Sequence, residues 1–261
     1  MTTPYDDSAA YRAKILIPTI HDTLDGSGLL TLALRLMPAA PGDPGVTAAL
    51  VELGERIFLH EEDVPRRALI AQARSDVRLS GWMLTDILPA IALRLEDGWN
   101  HDRLSFVDVT IAAARIQDGV RRLGRIALPP AEMPAVAMIV PVWEQHALAA
   151  TFAAEEMRRL GAPVRLVAGT AVRDIPALLE RFPAAALMIS SSSGRAAARV
   201  PELIRDLRRH VRRALPVVVG GAALITDPDL GVRAGGDLGT NSAADALAFC
   251  DLAPCLSPAL S

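Results

Sequence analysis

Lysine is almost absent from this chain of 261 residues: of 27 basic side chains only Lys14 is lysine. A mechanism needing a second lysine is thereby excluded, and the arginine and alanine excess reads as a coding bias. Cysteine is nearly as scarce. Cys250 and Cys255 cannot staple so long a chain, and a reducing, cytoplasmic setting is expected. Net charge is only −3, which argues against binding nucleic acid by bulk charge. No apolar run reaches the ~18 residues of a membrane span, and the opening MTTPYDDSAAYR lacks the apolar stretch of a secretion signal. What the chain does have is apolar mass. Hydrophobic residues make up 51% and charged ones 22%, enough for a real core and too apolar for disorder. The length suits one large domain or two smaller ones.

Residues 1–45 carry scattered apolar stretches and end in the cluster PAAPGDPG, which reads as a linker. Leu29–Leu36 is compatible with a helix, but without caps or sustained period the segment reads as a poorly specified arm. From Val46 apolar residues recur at three- and four-residue spacing through VTAALVELGERIF, ALIAQA, LTDILPAIALRL and VDVTIAAARIQDGVRRL. Asp63 with Pro65 suits a helix start, and Ser105-x-x-Asp108 has the spacing of a capping box. A four-helix bundle over 46–127 is predicted. After a second linker, LPPAEMP, the period changes. Ala135–Val142, Val164–Ala168, Ala185–Ser190 and Pro216–Gly220 read as strands buried on both faces. Helical stretches Leu148–Leu160, Ile175–Phe182 and Val200–Ala214 separate them, and a weak fifth strand near Leu230–Arg233 precedes a helix over Ala243–Phe249. The predicted fold is α/β: a flavodoxin-like doubly wound parallel sheet of about five strands over 134–250, with 251–261 as a tail.

Open parallel sheets bind ligands beyond the carboxyl ends of their strands. The first strand is followed by Trp143-Glu144-Gln145-His146-Ala147-Leu148, where a dinucleotide site or a phosphate loop would need glycines. Serines, not a phospho-accepting aspartate, follow the third strand, and no lysine follows the fifth. There remain His146, the hydroxyls of Ser190, Ser191, Ser192 and Ser193, the pair Gly220-Gly221, and Gly239-Thr240 before the last helix. Paired glycines let backbone approach a large ligand. A neutral imidazole can coordinate a metal while a carboxylate orients its other nitrogen.

These residues resemble the cobalamin-binding domain family, whose signature is Asp-x-His-x-x-Gly, then Ser-x-Leu, then Gly-Gly. Glu144-Gln145-His146, the serine run and Gly220-Gly221 stand in that order; 44 residues separate His146 from Ser190 and 28 separate Ser192 from Gly220. The stretch DGWNHDRLSFVDVTIAAARIQDGVRRL is similar to the helical cap that precedes such domains, in which a Trp, here Trp99, lies near the upper corrin face. Three departures are plain: Glu144 replaces Asp, Ala149 replaces the motif glycine, and the serine element lacks its Leu. Val109-Thr110 stand where light-sensing cobalamin repressors carry a Glu-His pair. The pattern most resembles the AerR/PpaA antirepressors of purple photosynthetic bacteria.

That resemblance implies cobalamin as cofactor, in a hydroxo or adenosyl form that the sequence leaves open. His146 would be the lower axial ligand to cobalt in a base-off, His-on complex, its only metal ligand. Trp99, Val109, Glu144, Gln145, Ala147, Leu148, Ser190, Ser191, Ser192, Gly220, Gly221, Gly239 and Thr240 would make up the rest of the binding site. It also implies a PpsR/CrtJ-type transcriptional repressor as partner, with DNA reached indirectly and no membrane. No catalytic residue is expected, since no barrel domain of the kind that cobalamin enzymes add is visible. Two further readings remain: a corrinoid methyl carrier for a methyltransferase system, and a haem sensor with His146 as axial ligand. The basic run RDLRRHVRR reads as a solvated helix face.

Overall fold

The computed structural model describes residues 28, 31, 33–34, 42–124, 135–144, 146–181, 184–192, 194–211 and 214–252. The expected linker at 128–134, Gln145, Ser193 and the tail beyond 252 lie outside the described residues. The chain divides into two compact units, Met1–Gly124 and Arg125–Ser261.

In the first unit Thr31, Ala33 and Leu34 are helical and Ala33 is buried. Helix α1, Pro44–Leu59, starts inside the Pro/Gly cluster read as a linker, two residues before Val46. Its proline sacrifices no N–H at that position, and the Asp43 carboxylate accepts from the Val46 N–H at 2.9 Å. Helix α2 spans Val64–Arg74 with Pro65 in its first turn. Helix α3, Val77–Trp82, continues through a π turn, Met83–Ile87, into α4, Leu88–Asn100. Pro89 accounts for the π turn: it offers no N–H to the Thr85 carbonyl, and the Leu88 N–H reaches back five residues to Met83. Helix α5, Phe106–Leu123, opens with the expected capping box. Ser105 Oγ accepts from the Asp108 N–H, and the Asp108 carboxylate accepts from the Ser105 N–H, both at 3.1 Å. The periodic apolar positions form the core, with Ile57, Phe58, Leu88, Ile91 and Ile116 fully buried. Among the described residues no helix is long and apolar enough to cross a membrane.

The second unit is a five-stranded parallel sheet in the order β2-β1-β3-β4-β5, the flavodoxin-like order. The strands are β1 Ala135–Pro141, β2 Val164–Thr170, β3 Ala184–Ser190, β4 Val217–Gly220 and β5 Leu238–Gly239. Side chains alternate between two faces, and each face has its own core. Ala137, Ile139, Leu187, Ile189, Val217 and Val219 pack with Val200, Leu203, Ile204 and Leu207. Val136, Met138, Val140, Met188 and Val218 pack with Ala150, Ala154, Met157 and Leu247. Helices therefore cover both faces: α6 Leu148–Arg159 and the last helix, Ala243–Phe249, on one side, Val200–His210 on the other.

Three expectations need correction. Leu230–Arg233 is a turn of helix, not the fifth strand. Leu230 and Ala234 are buried while Val232 is exposed, a helical spacing. The true β5 is two residues that extend the sheet beside Val218 and Val219. Strand β2 is not buried on both faces; it pairs only with β1 at the sheet edge, and Arg165 and Ala168 are exposed. The helix expected over Val200–Ala214 stops at His210, four residues early, because Val211 is extended.

Candidate functional site

Strand order decides where a crevice can form. The chain leaves β1 toward one face of the sheet and leaves the neighbouring β3 toward the other, so the two loops part at the carboxyl edge. The loops after β1, β3, β4 and β5 stand there in a row.

Glu144 joins the first two loops of this row. Its side chain is only 1% exposed. One oxygen, Oε1, accepts from the His146 backbone N–H at 2.9 Å and faces His146 Nδ1 at 3.2 Å. The other, Oε2, accepts from the Ser192 N–H at 2.7 Å across the crevice. Burial pushes the Glu144 carboxyl up, but the hydrogen bonds from His146 and Ser192 outweigh it and hold it below the ordinary glutamate range. An ionised carboxylate only accepts, so Nδ1 of His146 is the donor in this contact, and Nε2 lies on the other side of the ring. The imidazole itself is 64% exposed. Three other histidines are described, and none has a buried carboxylate. His101 pairs with the exposed Asp97, His60 Nδ1 accepts from the Glu62 N–H, and His210 turns to the Asp206 carbonyl.

The serine loop has distinct members. Ser190 ends β3 and pairs with Gly220. Ser191 is fully buried; its N–H donates to the Gly220 carbonyl at 2.9 Å and its Oγ has no hydrogen-bond partner. Gly221 has φ +109°, and a β-carbon on it would lie 2.2 Å from the Ser191 carbonyl oxygen. The Gly221 N–H donates to Asn241 Oδ1 at 2.7 Å, so Asn241, which the sequence reading passed over, fixes this glycine. The Thr240 N–H donates to the Val219 carbonyl at 3.0 Å, and Thr240 Oγ1 accepts from the Ser242 N–H at 3.0 Å. Gly239 faces Gly231, whose β-carbon would come within 2.5 Å of the Gly239 Cα. Ala147 and Leu148 are half-buried where α6 begins, and Ala147 packs on the core beneath.

Two expected site residues belong to the helical unit. Trp99, near the end of α4, is 44% exposed and meets Phe106 edge-on with ring centroids 6.5 Å apart. Val109 lies half-buried on the second turn of α5, beside the exposed Thr110. On the helix that carries the basic run, Val200–His210, Val200, Leu203, Ile204 and Leu207 face the core while Arg205 and Arg209 face solvent, and Arg208 holds Asp237 at 2.8 Å. Burial, with Asp237 and Asp251 nearby, pushes the Cys250 thiol up, away from a reactive thiolate.

Over 168 residues the chain is 32% identical to the uncharacterized 20.5 kDa protein in the bchF-crtJ intergenic region of Rhodobacter capsulatus, covering 61% of this chain and 85% of that protein. The chain belongs to the family of that protein. No family profile matches it. Among solved structures, this family member is similar to the monomethylamine corrinoid protein of Methanosarcina barkeri. The TM-score is 0.56 at 11% identity, over 76% of this chain and 95% of that one, so the two share a fold. A cobalamin-binding protein of Desulfitobacterium hafniense matches with a TM-score of 0.38 at 13% identity, over 77% of this chain and 97% of that one.

Proposed function

We propose that the chain is a cobalamin-binding regulator of the AerR/PpaA antirepressor type. In this reading it is not an enzyme; it acts in the cytoplasm on a PpsR/CrtJ-type repressor and reaches DNA only through it. The observation that carries the reading is the ring of His146, with Nδ1 held by a buried carboxylate and Nε2 open. One imidazole is too little to hold a bare transition metal, which takes three or four donors. Among the described residues no three His, Cys, Asp or Glu side chains converge. A macrocycle that brings its own equatorial donors needs only one axial imidazole from the protein.

The residues present fit such a group. Ser191 Oγ is a buried hydroxyl lacking a partner, and Gly221 lets the loop after β4 lie backbone to backbone against Ser191 at the same edge. His146 would hold the cobalt, and Ser191, Ser192, Gly221 and Thr240 would line the remainder. A corrinoid bound there supplies a cobalt whose axial bonds respond to light or redox state. Glu144 keeps the proton on Nδ1 and strengthens Nε2 as a donor. The regulatory half is supported by the family member that lies between bchF and crtJ, because the resemblance implies a CrtJ-type repressor as partner. The carrier reading has the fold shared with the monomethylamine corrinoid protein in its favour.

The full chain, mixed with hydroxocobalamin and passed through gel filtration, should retain the corrinoid with an imidazole-coordinated spectrum. His146→Ala should lose that spectrum and bind at least about tenfold more weakly, ~1.4 kcal/mol. His101→Ala and His210→Ala should bind as the parent does. An unchanged spectrum in His146→Ala would overturn the assignment, and retention of haemin alone would replace the cofactor. Capture of a PpsR/CrtJ-type repressor that changes when cobalamin is added separates the antirepressor from the carrier.

A further inference from the structure

Helices α1, α2 and α5 enclose a cleft of about 320 Å³ in the first unit, near the lower end of the volumes that hold small molecules. Its apolar wall is Phe58, Ile70 and Ile111; its polar wall is four arginines and two aspartates. The aspartates are largely taken. Asp63 pairs with Arg67, and Asp118 accepts from Arg122 at 2.5 Å. Arg66, with its side chain 9% exposed, reaches Asp63 at 3.2 Å and donates to the carbonyls of His60 and Glu62 at 2.6 and 2.8 Å.

Arg115 differs from these. One of its terminal nitrogens donates to the Phe58 and Leu59 carbonyls at 2.8 and 3.1 Å. Those carbonyls end α1, so Arg115 caps that helix. Among the described residues no carboxylate pairs with Arg115. A guanidinium has five N–H donors on a rigid fork, so most of its capacity is left after the cap is made. The cleft thus holds four positive charges against two negative ones, and burial together with the nearby Arg115 lowers the Arg66 pKa. Next to this excess charge stands Ile111, 43% exposed.

We infer that this cleft binds a small organic anion, a carboxylate on an apolar body, with the carboxylate on the free side of Arg115 and the body along Ile111, the exposed member of the apolar wall. The charge imbalance selects the anion, the fork geometry favours a planar carboxylate, and the apolar wall selects against acetate-sized ions. The inference does not depend on cobalamin binding.

Calorimetric titration of the full chain with octanoate, octanol and acetate tests it. Octanoate should bind saturably, at least about tenfold more tightly than octanol or acetate, and more weakly as salt is raised. Arg115→Gln should lose at least about tenfold in octanoate affinity, with thermal unfolding measured alongside because the cap of α1 is also lost. Ile111→Ser, at an exposed position, should abolish the preference for octanoate over acetate; it decides the matter alone if Arg115→Gln does not fold. Octanol binding as tightly as octanoate, no saturable octanoate binding, or both folded variants behaving like the parent would each overturn the inference.

Discussion

The carbonyl oxygen of Ser191 lies 2.2 Å from the point where Gly221 would carry a β-carbon. The loops after β3 and β4 are thus in backbone contact, and no flexible side chain can yield to a substitution. Gly221→Ala combines this clash with a φ of +109°. It should cost at least about 3 kcal/mol. Gly169, φ +72°, has nothing within 4 Å of its would-be β-carbon, and Gly169→Ala should cost only about 1–2 kcal/mol. Urea unfolding of both variants gives the comparison; equal costs would mean that the two loops do not touch.

Ser191→Ala should act in opposite directions on stability and on binding. The hydroxyl is buried without a partner, so removing it relieves an uncompensated desolvation. The cofactor-free variant should be as stable as the parent or up to about 1 kcal/mol more stable. If the hydroxyl serves the corrinoid, cobalamin affinity should fall at the same time. A variant that is clearly less stable, yet binds normally, rules out this role.

Glu144→Gln should change how stability depends on pH. The folded carboxyl of Glu144 titrates below its ordinary value because His146 and Ser192 donate to it, against the opposing effect of burial. A carboxyl lowered in this way adds stability that is present above the ordinary glutamate pKa of about 4.3 and is lost as pH falls through the lowered value. The parent should exceed the variant in stability at neutral pH, and the gap should close on acidification below about pH 4. A gap that stays constant across that range would remove Glu144 from the acid response.

Strands β1, β3 and β4 were legible in the sequence because helices cover both of their faces, which leaves uninterrupted apolar runs. Once the strands were placed, their ends brought out His146, the serines and Gly221 together. The fifth strand gave no such signal. It is only Leu238 and Gly239, and what sets it is the bond from the Thr240 N–H to the Val219 carbonyl and the close approach of Gly231. Asn241 was equally hidden, since its bond to Gly221 joins residues twenty apart with no local pattern. The exposed β2 was misread because an apolar composition does not reveal an edge position. The likeness to the AerR/PpaA antirepressors rests on the motif order; the relative from Rhodobacter capsulatus, itself uncharacterized, places the chain in a family without naming that role.

Glu144 has a further consequence for how anything enters the crevice. One oxygen of its carboxylate is fastened to the loop after β1 and the other to the loop after β3. The loop after β1 is thereby tied to the loop after β3, which is itself bonded to the loop after β4. A guest arriving at His146 therefore has little ordering cost to meet, and more of its contact energy is left as affinity. The same fastening works outward. A pull on the imidazole reaches the Ser192 N–H through the single carboxylate group of Glu144.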